Sequence, residues 1–229
     1  MFKTLSISIA VFVLMLLVAF TASMASATII IDVDRTRGTA GDRSPIGEFY
    51  TDTDPLATEV GNLKDGNIVF SDRTYDWTAT PGSMIGQEYV RTFNTDKDNN
   101  CIMVNYAVTI GEAAVLWITM DDRLPANYTT AGGVQVFLTQ QEAVDLVVHS
   151  WAAPGTFVDT GVDLTIDEGG GRVMSVFTTQ SPLEAGTYNF GLNPTGNKNF
   201  YTIGAVPEPA TIALLGLGGL ALLRRKRVG

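Results

Sequence analysis

Residues 102–110, Ile-Met-Val-Asn-Tyr-Ala-Val-Thr-Ile, place Ile102, Val104, Tyr106, Val108 and Ile110 at every second position. A period of two collects those side chains on one face of an extended chain and scatters them around a helix, so the run predicts a strand with one buried face. Comparable apolar or β-branched runs recur at Ile29–Val33, Ile68–Phe70, Tyr89–Phe93, Val115–Met120, Val134–Leu138, Val144–Trp151, Arg172–Thr178, Tyr188–Leu192 and Phe200–Ile203. Turn signals separate them: Asp65-Gly66, Pro81-Gly82, Gly132-Gly133, Pro154-Gly155, Gly169-Gly170-Gly171 and Asn193-Pro194. With no sustained helical period and no internal repeat, this pattern predicts an all-β fold, a single β-sandwich of the jelly-roll kind. An immunoglobulin-like sandwich is the alternative on pattern alone.

The central region, residues 28–205, is long enough for one well-buried domain, and no Ser/Pro-rich tract divides it. We read residues 64–205 as the sandwich and residues 28–63 as an N-terminal extension or its first strands. The whole chain of 229 residues has a formal net charge of -9. Lys3 and the basic residues 224–227 lie outside the central region, as does Glu208, which leaves 10 Lys and Arg against 23 Asp and Glu inside it. So acidic a body repels phosphate backbones, and nucleic acid is not expected as a partner.

The two ends read as addresses. Lys3, the apolar run Ile7–Phe20 and Ala25-Ser26-Ala27 form a secretory signal peptide, residues 1–27, with signal peptidase expected to cut after Ala27. An uncleaved anchor is the competing reading. At the other end stand Val206, Pro207, Glu208 and Pro209, the apolar run Ala210–Leu223, and Arg224, Arg225, Lys226 and Arg227. The 14 apolar residues span about 21 Å as a helix against a hydrocarbon core of about 30 Å, a shortfall that snorkelling arginines and local thinning can cover. The basic cluster would hold the C-terminus in the cytoplasm and leave the body outside. The two prolines predict an extended, accessible backbone just before the membrane.

Pro-Glu-Pro, a short apolar run and a terminal basic cluster behind a signal peptide resemble the PEP-CTERM sorting signal of Gram-negative bacteria. A plain tail anchor is the alternative. The resemblance covers residues 206–229 and implies transient residence in the inner membrane and recognition by exosortase, a membrane protease-transpeptidase. It also implies removal of the tail and delivery to the cell surface or an exopolysaccharide matrix.

A second resemblance spans roughly residues 64–203. Ser71-Asp72-Arg73-Thr74-Tyr75-Asp76-Trp77, Tyr89-Val90-Arg91-Thr92 with Asn94, Asp96 and Lys97, Trp117 to Asp121-Asp122-Arg123, and Trp151 with Asp159-Thr160-Gly161 resemble the galactose-binding-like sandwich modules found beside polysaccharide-degrading domains. This resemblance implies a jelly roll that contacts sugars. Such modules usually accompany an enzyme, whereas no catalytic domain is expected within these residues.

Candidate chemistry is sparse. Asp121, Asp122 and Arg123 can grip sugar hydroxyls through charged hydrogen bonds, and the structural alternative is an ion pair holding a turn. Trp77 and Trp151 stand next to turn signals and are candidate stacking platforms, against a competing role in the core. Trp117, inside an apolar run, is expected to be buried. Asp96-Lys97-Asp98-Asn99-Asn100 spaces its oxygen donors like a calcium loop but has Cys101 where an EF-hand needs glycine and Ala107 where it needs glutamate. Asp32/Asp34 and Asp52/Asp54 are similar short pairs. No metal site or cofactor is expected beyond weak Ca²⁺ contacts.

His149 and Cys101 are the sole residues of their kinds. His149 has no nucleophile elbow beside it, and Cys101 has no intramolecular disulfide partner. Catalytic residues are therefore not expected. The sequence reads as an exported, non-enzymatic surface or matrix protein that contacts extracellular polysaccharide. A secreted carbohydrate-active enzyme with an unrecognised carboxylate pair is the alternative.

Overall fold

The computed structural model describes residues 28–38, 49–51, 60–97, 104–124, 126–129, 135–191 and 198–208. Ala25 and Ala27, expected from sequence to mark the signal cleavage site, lie outside them, as do Pro209, the apolar run Ala210–Leu223 and Arg224, Arg225, Lys226 and Arg227. Among the described residues no helix is long and apolar enough to cross a membrane.

The strands are β1 (Ile30–Gly38), β2 (Phe49–Thr51), β3 (Val60–Asn62), β4 (Trp77–Thr78), β5 (Glu88–Val90), β6 (Val104–Ile110) and β7 (Ala114–Asp121). They continue as β8 (Ala126–Thr129), β9 (Gln135–Leu138), β10 (Phe157–Ile166), β11 (Arg172–Thr179), β12 (Gly186–Gly191) and β13 (Ile203–Pro207), with one helix, α1 (Gln140–Val148). A four-stranded sheet runs β12-β6-β1-β2, a seven-stranded sheet runs β3-β5-β13-β7-β11-β10-β4, and β8-β9 form a separate ribbon. The fold is an all-β sandwich. β6 behaves as its alternation requires, with Val104, Tyr106, Val108 and Ile110 turned into the core. β7 is buried on both faces over nearly its whole length, because the second sheet covers one side and α1 packs over part of the other.

Residues 28–63 contribute to both sheets: β1 lies between β6 and β2, and β3 forms one edge of the larger sheet. Two sequence expectations are corrected. Val144–Trp151 is not a strand; Val144–Val148 completes α1, whose buried residues are Ala143, Val144, Val147 and Val148, the spacing of one helical face. The signal for it was present in Thr139-x-x-Glu142, since the Thr139 hydroxyl accepts from the Glu142 N–H at 3.3 Å and the Glu142 carboxylate accepts from the Thr139 N–H at 2.8 Å. The backbone before the tail is extended but not free. Val206 and Pro207 pair with Val115 and Ala114, and the Glu208 N–H donates to the Ala113 carbonyl at 3.3 Å.

Candidate functional site

At one end of the sandwich β7 delivers Asp121, and the following turn folds back upon it. The buried Asp121 carboxylate accepts hydrogen bonds from the Arg123 N–H at 2.9 Å, from Arg123 Nε at 2.7 Å and from Arg123 Nη2. The Asn199 N–H donates at 3.0 Å to Asp121 Oδ2, the oxygen that also accepts from Arg123 Nη2. Asn199 Nδ2 donates to Glu168 at 2.7 Å, and Arg123 and Arg172 approach the same carboxylate at 3.6 and 3.8 Å.

The network continues inward. Asn94 Nδ2 donates to Asn199 Oδ1 at 3.3 Å, its own Oδ1 accepts from the Phe200 N–H at 2.9 Å, and its backbone N–H donates to Asp72 at 2.7 Å. Arg73 closes the line on Asp72 at 3.0 Å. The segment around Asp72-Arg73, part of the sandwich-module resemblance, and the Asp121-Asp122-Arg123 turn, read from sequence as either a ligand contact or a structural ion pair, are therefore joined through two buried asparagines. Asp121 itself is fully committed to this clamp, while Asp122 is exposed and Arg123 and Arg73 are partly exposed. The arrangement presents hydrogen-bonding groups of both signs around a fixed, buried base.

Burial by itself raises the Asp121 carboxyl, but the Arg123 side chain, the Arg123 N–H and the Asn199 N–H outweigh it and hold the group below its ordinary value. Because the folded value is the lower one, this stabilisation is fully present above about pH 4 and is lost as pH falls through the folded value. Asp121→Asn is expected to reduce stability at neutral pH and to flatten the acid limb below about pH 4, read from urea midpoints across the pH range.

The aromatic candidates lie elsewhere. Trp77 is 0% exposed and packs edge-on against Tyr89, with ring centroids 5.9 Å apart, so it offers no ring face to a sugar. Its location on β4, hydrogen-bonded to β10, turns it inward. Trp151 is half-buried against Tyr188, Phe157 and Phe190, and its Nε1 donates to the Asn189 carbonyl at 2.7 Å. That ring fastens the end of α1 to β12. Trp117 is buried, as its apolar run indicates.

The calcium-like turn is also occupied by structure. Asp96 lies on a single 3₁₀ turn, Asn94–Lys97, and accepts from Arg35 Nε at 3.0 Å and from the Tyr106 hydroxyl at 2.7 Å, while Asp98, Asn99 and Asn100 lie outside the described residues. Asp32 and Asp34 are exposed on β1. Among the described residues no group of three or more His, Cys, Asp or Glu is placed to hold a metal. His149 caps α1 and its Nδ1 lies 2.8 Å from the Leu146 carbonyl oxygen. Sequence reasoning placed Asn94 only within a resemblance motif and missed Asn199 and Glu168, because a residue that completes a clamp between distant segments has no local pattern to mark it.

Comparison with known proteins adds the following. No curated protein matches the chain. Among solved structures the chain is similar to part of a β-glucuronidase from glycoside hydrolase family 2 (19% identity, TM-score 0.45, 71% of this chain and 16% of that one) and to part of a GH138 enzyme targeting pectin rhamnogalacturonan II (9% identity, TM-score 0.40, 66% of this chain and 16% of that one). The chain thus spans about a sixth of the length of either structure. Residues 205–227 match the PEP-CTERM protein-sorting motif, which marks the chain for export and for sorting to the cell surface or beyond.

Proposed function

We propose that the chain is a non-enzymatic protein of the cell surface or extracellular matrix, and that its polar end contacts extracellular polysaccharide. In this reading signal peptidase removes residues 1–27, the tail rests in the inner membrane, and exosortase then removes the tail. The observation that carries it is the direct passage of the folded body into the sorting motif: β13 spans Ile203–Pro207, while the motif begins at residue 205. Whatever the body does, it does where that tail delivers it.

The employment of the buried ionisable groups supports a binding role over a catalytic one. Asp96 serves Arg35 and Tyr106, Glu88 serves backbone amides, and Asp121 serves Arg123. On the exposed surface, hydrogen bonds from Thr80 hold Asp65 below its ordinary value, and hydrogen bonds from Thr139 do the same for Glu142. A glycosidase acid needs the opposite shift. Sugar recognition needs only fixed donors and acceptors at a surface, which the Arg73, Asp122 and Arg123 side chains around the clamp supply.

The test is a binding panel of extracellular polysaccharides with and without Ca²⁺, run on the exported protein. Saturable binding is expected, weakened at least several-fold in Asp122→Ala and Arg73→Ala, whose side chains reach solvent. Trp77→Ala reports on folding and not on a sugar face, because the ring is buried. Absence of binding across the panel would remove polysaccharide from the reading, and release of new reducing ends would replace it with the carbohydrate-active enzyme.

A further inference from the structure

Glu88 is 6% exposed on β5, and its Oε2 accepts the backbone N–H of Ile29 at 2.9 Å and of Ile30 at 2.8 Å. Among the described residues no cationic side chain forms an ion pair with it. The residues opposite it in the flanking strands, Asn62 and Ala205, are neutral. Amide donors solvate a buried carboxylate in part, but its charge still calls for a counter-ion.

Chain geometry supplies one. The Thr28 nitrogen is three covalent bonds from that of Ile29, so the two are separated by at most about 4 Å. It therefore lies one residue from an amide already seated on the carboxylate, and Thr28 is exposed. In a chain that still carries residue 27 this nitrogen is a neutral amide. Hydrolysis of the Ala27–Thr28 peptide bond, in which water supplies OH to the Ala27 carbonyl and a proton to the departing nitrogen, leaves an amine that is protonated at neutral pH.

We propose that leader removal after Ala27 creates the missing counter-ion, the Thr28 α-ammonium, which pairs with Glu88 and locks the start of β1 onto β5. The inference rests on the cleavage site within the functional reading above and adds a conformational consequence to it. Glu88 also lies opposite Ala205 in β13. The lock therefore forms beside the strand that leads into the sorting motif.

The experiment uses the exported full-length protein, tail retained, purified in detergent from a host without exosortase. The acylation rate of its α-amine is followed near pH 7. A paired carboxylate raises an amine's pKa by about one unit, so the wild type is expected to react about tenfold more slowly than Glu88→Gln. A second variant leaves Glu88 in place and inserts one glycine between residues 27 and 28, which moves the new ammonium away from the carboxylate. It is expected to acylate at the Glu88→Gln rate and to melt about 4 °C lower than the wild type. Equal acylation rates in the wild type and the insertion variant would overturn the lock. N-terminal sequencing that shows a start other than Thr28 would overturn it as well, and would leave the sorting reading standing, since that rests on residues 205–227.

Discussion

Gly204→Ala is expected to destabilise the protein by at least about 4 kcal/mol, enough to lower Tm by about 10 °C or to prevent soluble expression. A Cβ at this position would lie 2.1 Å from two atoms of the Trp117 ring and 2.6 Å from the Glu88 carbonyl oxygen. Gly204 is paired with Trp117 on one side and Tyr89 on the other, in a strand flanked by neighbours on both edges. The ring cannot withdraw, since Trp117 is itself buried, and the carbonyl belongs to the sheet backbone. The requirement is for space and not for an unusual backbone angle. Gly186→Ala is the matched control: its nearest neighbours would stand 3.9 Å from the added carbon, and little change is expected. Trp117→Phe, which removes the colliding part of the indole, is expected to return part of the loss in the Gly204→Ala background. Thermal melts of the four proteins decide the matter.

The second large effect concerns Arg35 and Asp96. Their side chains are 1% and 0% exposed, and the guanidinium meets the carboxylate through both Nε and Nη2. Tyr106 donates to the same carboxylate, its oxygen accepts from the Phe93 N–H at 2.8 Å, and the Arg35 guanidinium carbon stands 4.0 Å from the centre of the Phe93 ring. Burial is the first cause that pushes the Tyr106 hydroxyl well above its ordinary value, with the Asp96 charge adding to it, so the phenol remains a donor throughout the working pH range. Asp96→Ala strands a buried guanidinium and is expected to lose about 3–5 kcal/mol. Replacing both partners with apolar residues, Arg35→Met with Asp96→Leu, is expected to lose clearly less than the single change. The comparison checks whether the penalty is the uncompensated charge or the pair itself. Urea midpoints of the single and double variants measure it.

Much of the sandwich was legible because strands with one buried face write their period into the sequence. β6, β7 and β11 fall where the apolar runs place them. What escaped notice did so for physical reasons. β10 carries Asp-Thr-Gly in its middle, where its register with β11 shifts and Gly161 adopts a positive φ of 66°, so its polar, kinked centre reads as a turn. α1 was hidden because its valines suit a strand equally well, and only its capping pair distinguishes the two. The candidate site was legible in halves. Asp121-Asp122-Arg123 stood out as a charged cluster and Asp72-Arg73 entered within a longer motif, but their union through Asn94 and Asn199 depends on contacts 22, 105 and 78 positions apart. For Trp77 the sequence left a stacking platform and a core role open, and pairing with β10 turns its ring inward, into the core.

The strand that precedes the sorting tail has a mechanical meaning. β13 is an interior strand of the larger sheet, hydrogen-bonded to β5 along one edge and to β7 along the other. Flow or drag on a body held by its C-terminus would be transmitted along β13, parallel to its axis and across both ladders. Hydrogen bonds loaded in that direction share the force and must yield together, whereas those of a peripheral strand peeled from one end give way singly. Thr202 extends the grip, because its backbone N–H donates to the Thr119 hydroxyl at 3.0 Å and its carbonyl accepts the Thr119 N–H at 2.9 Å. A body held through its C-terminus would thus bear tension through a strand that is hydrogen-bonded along both edges.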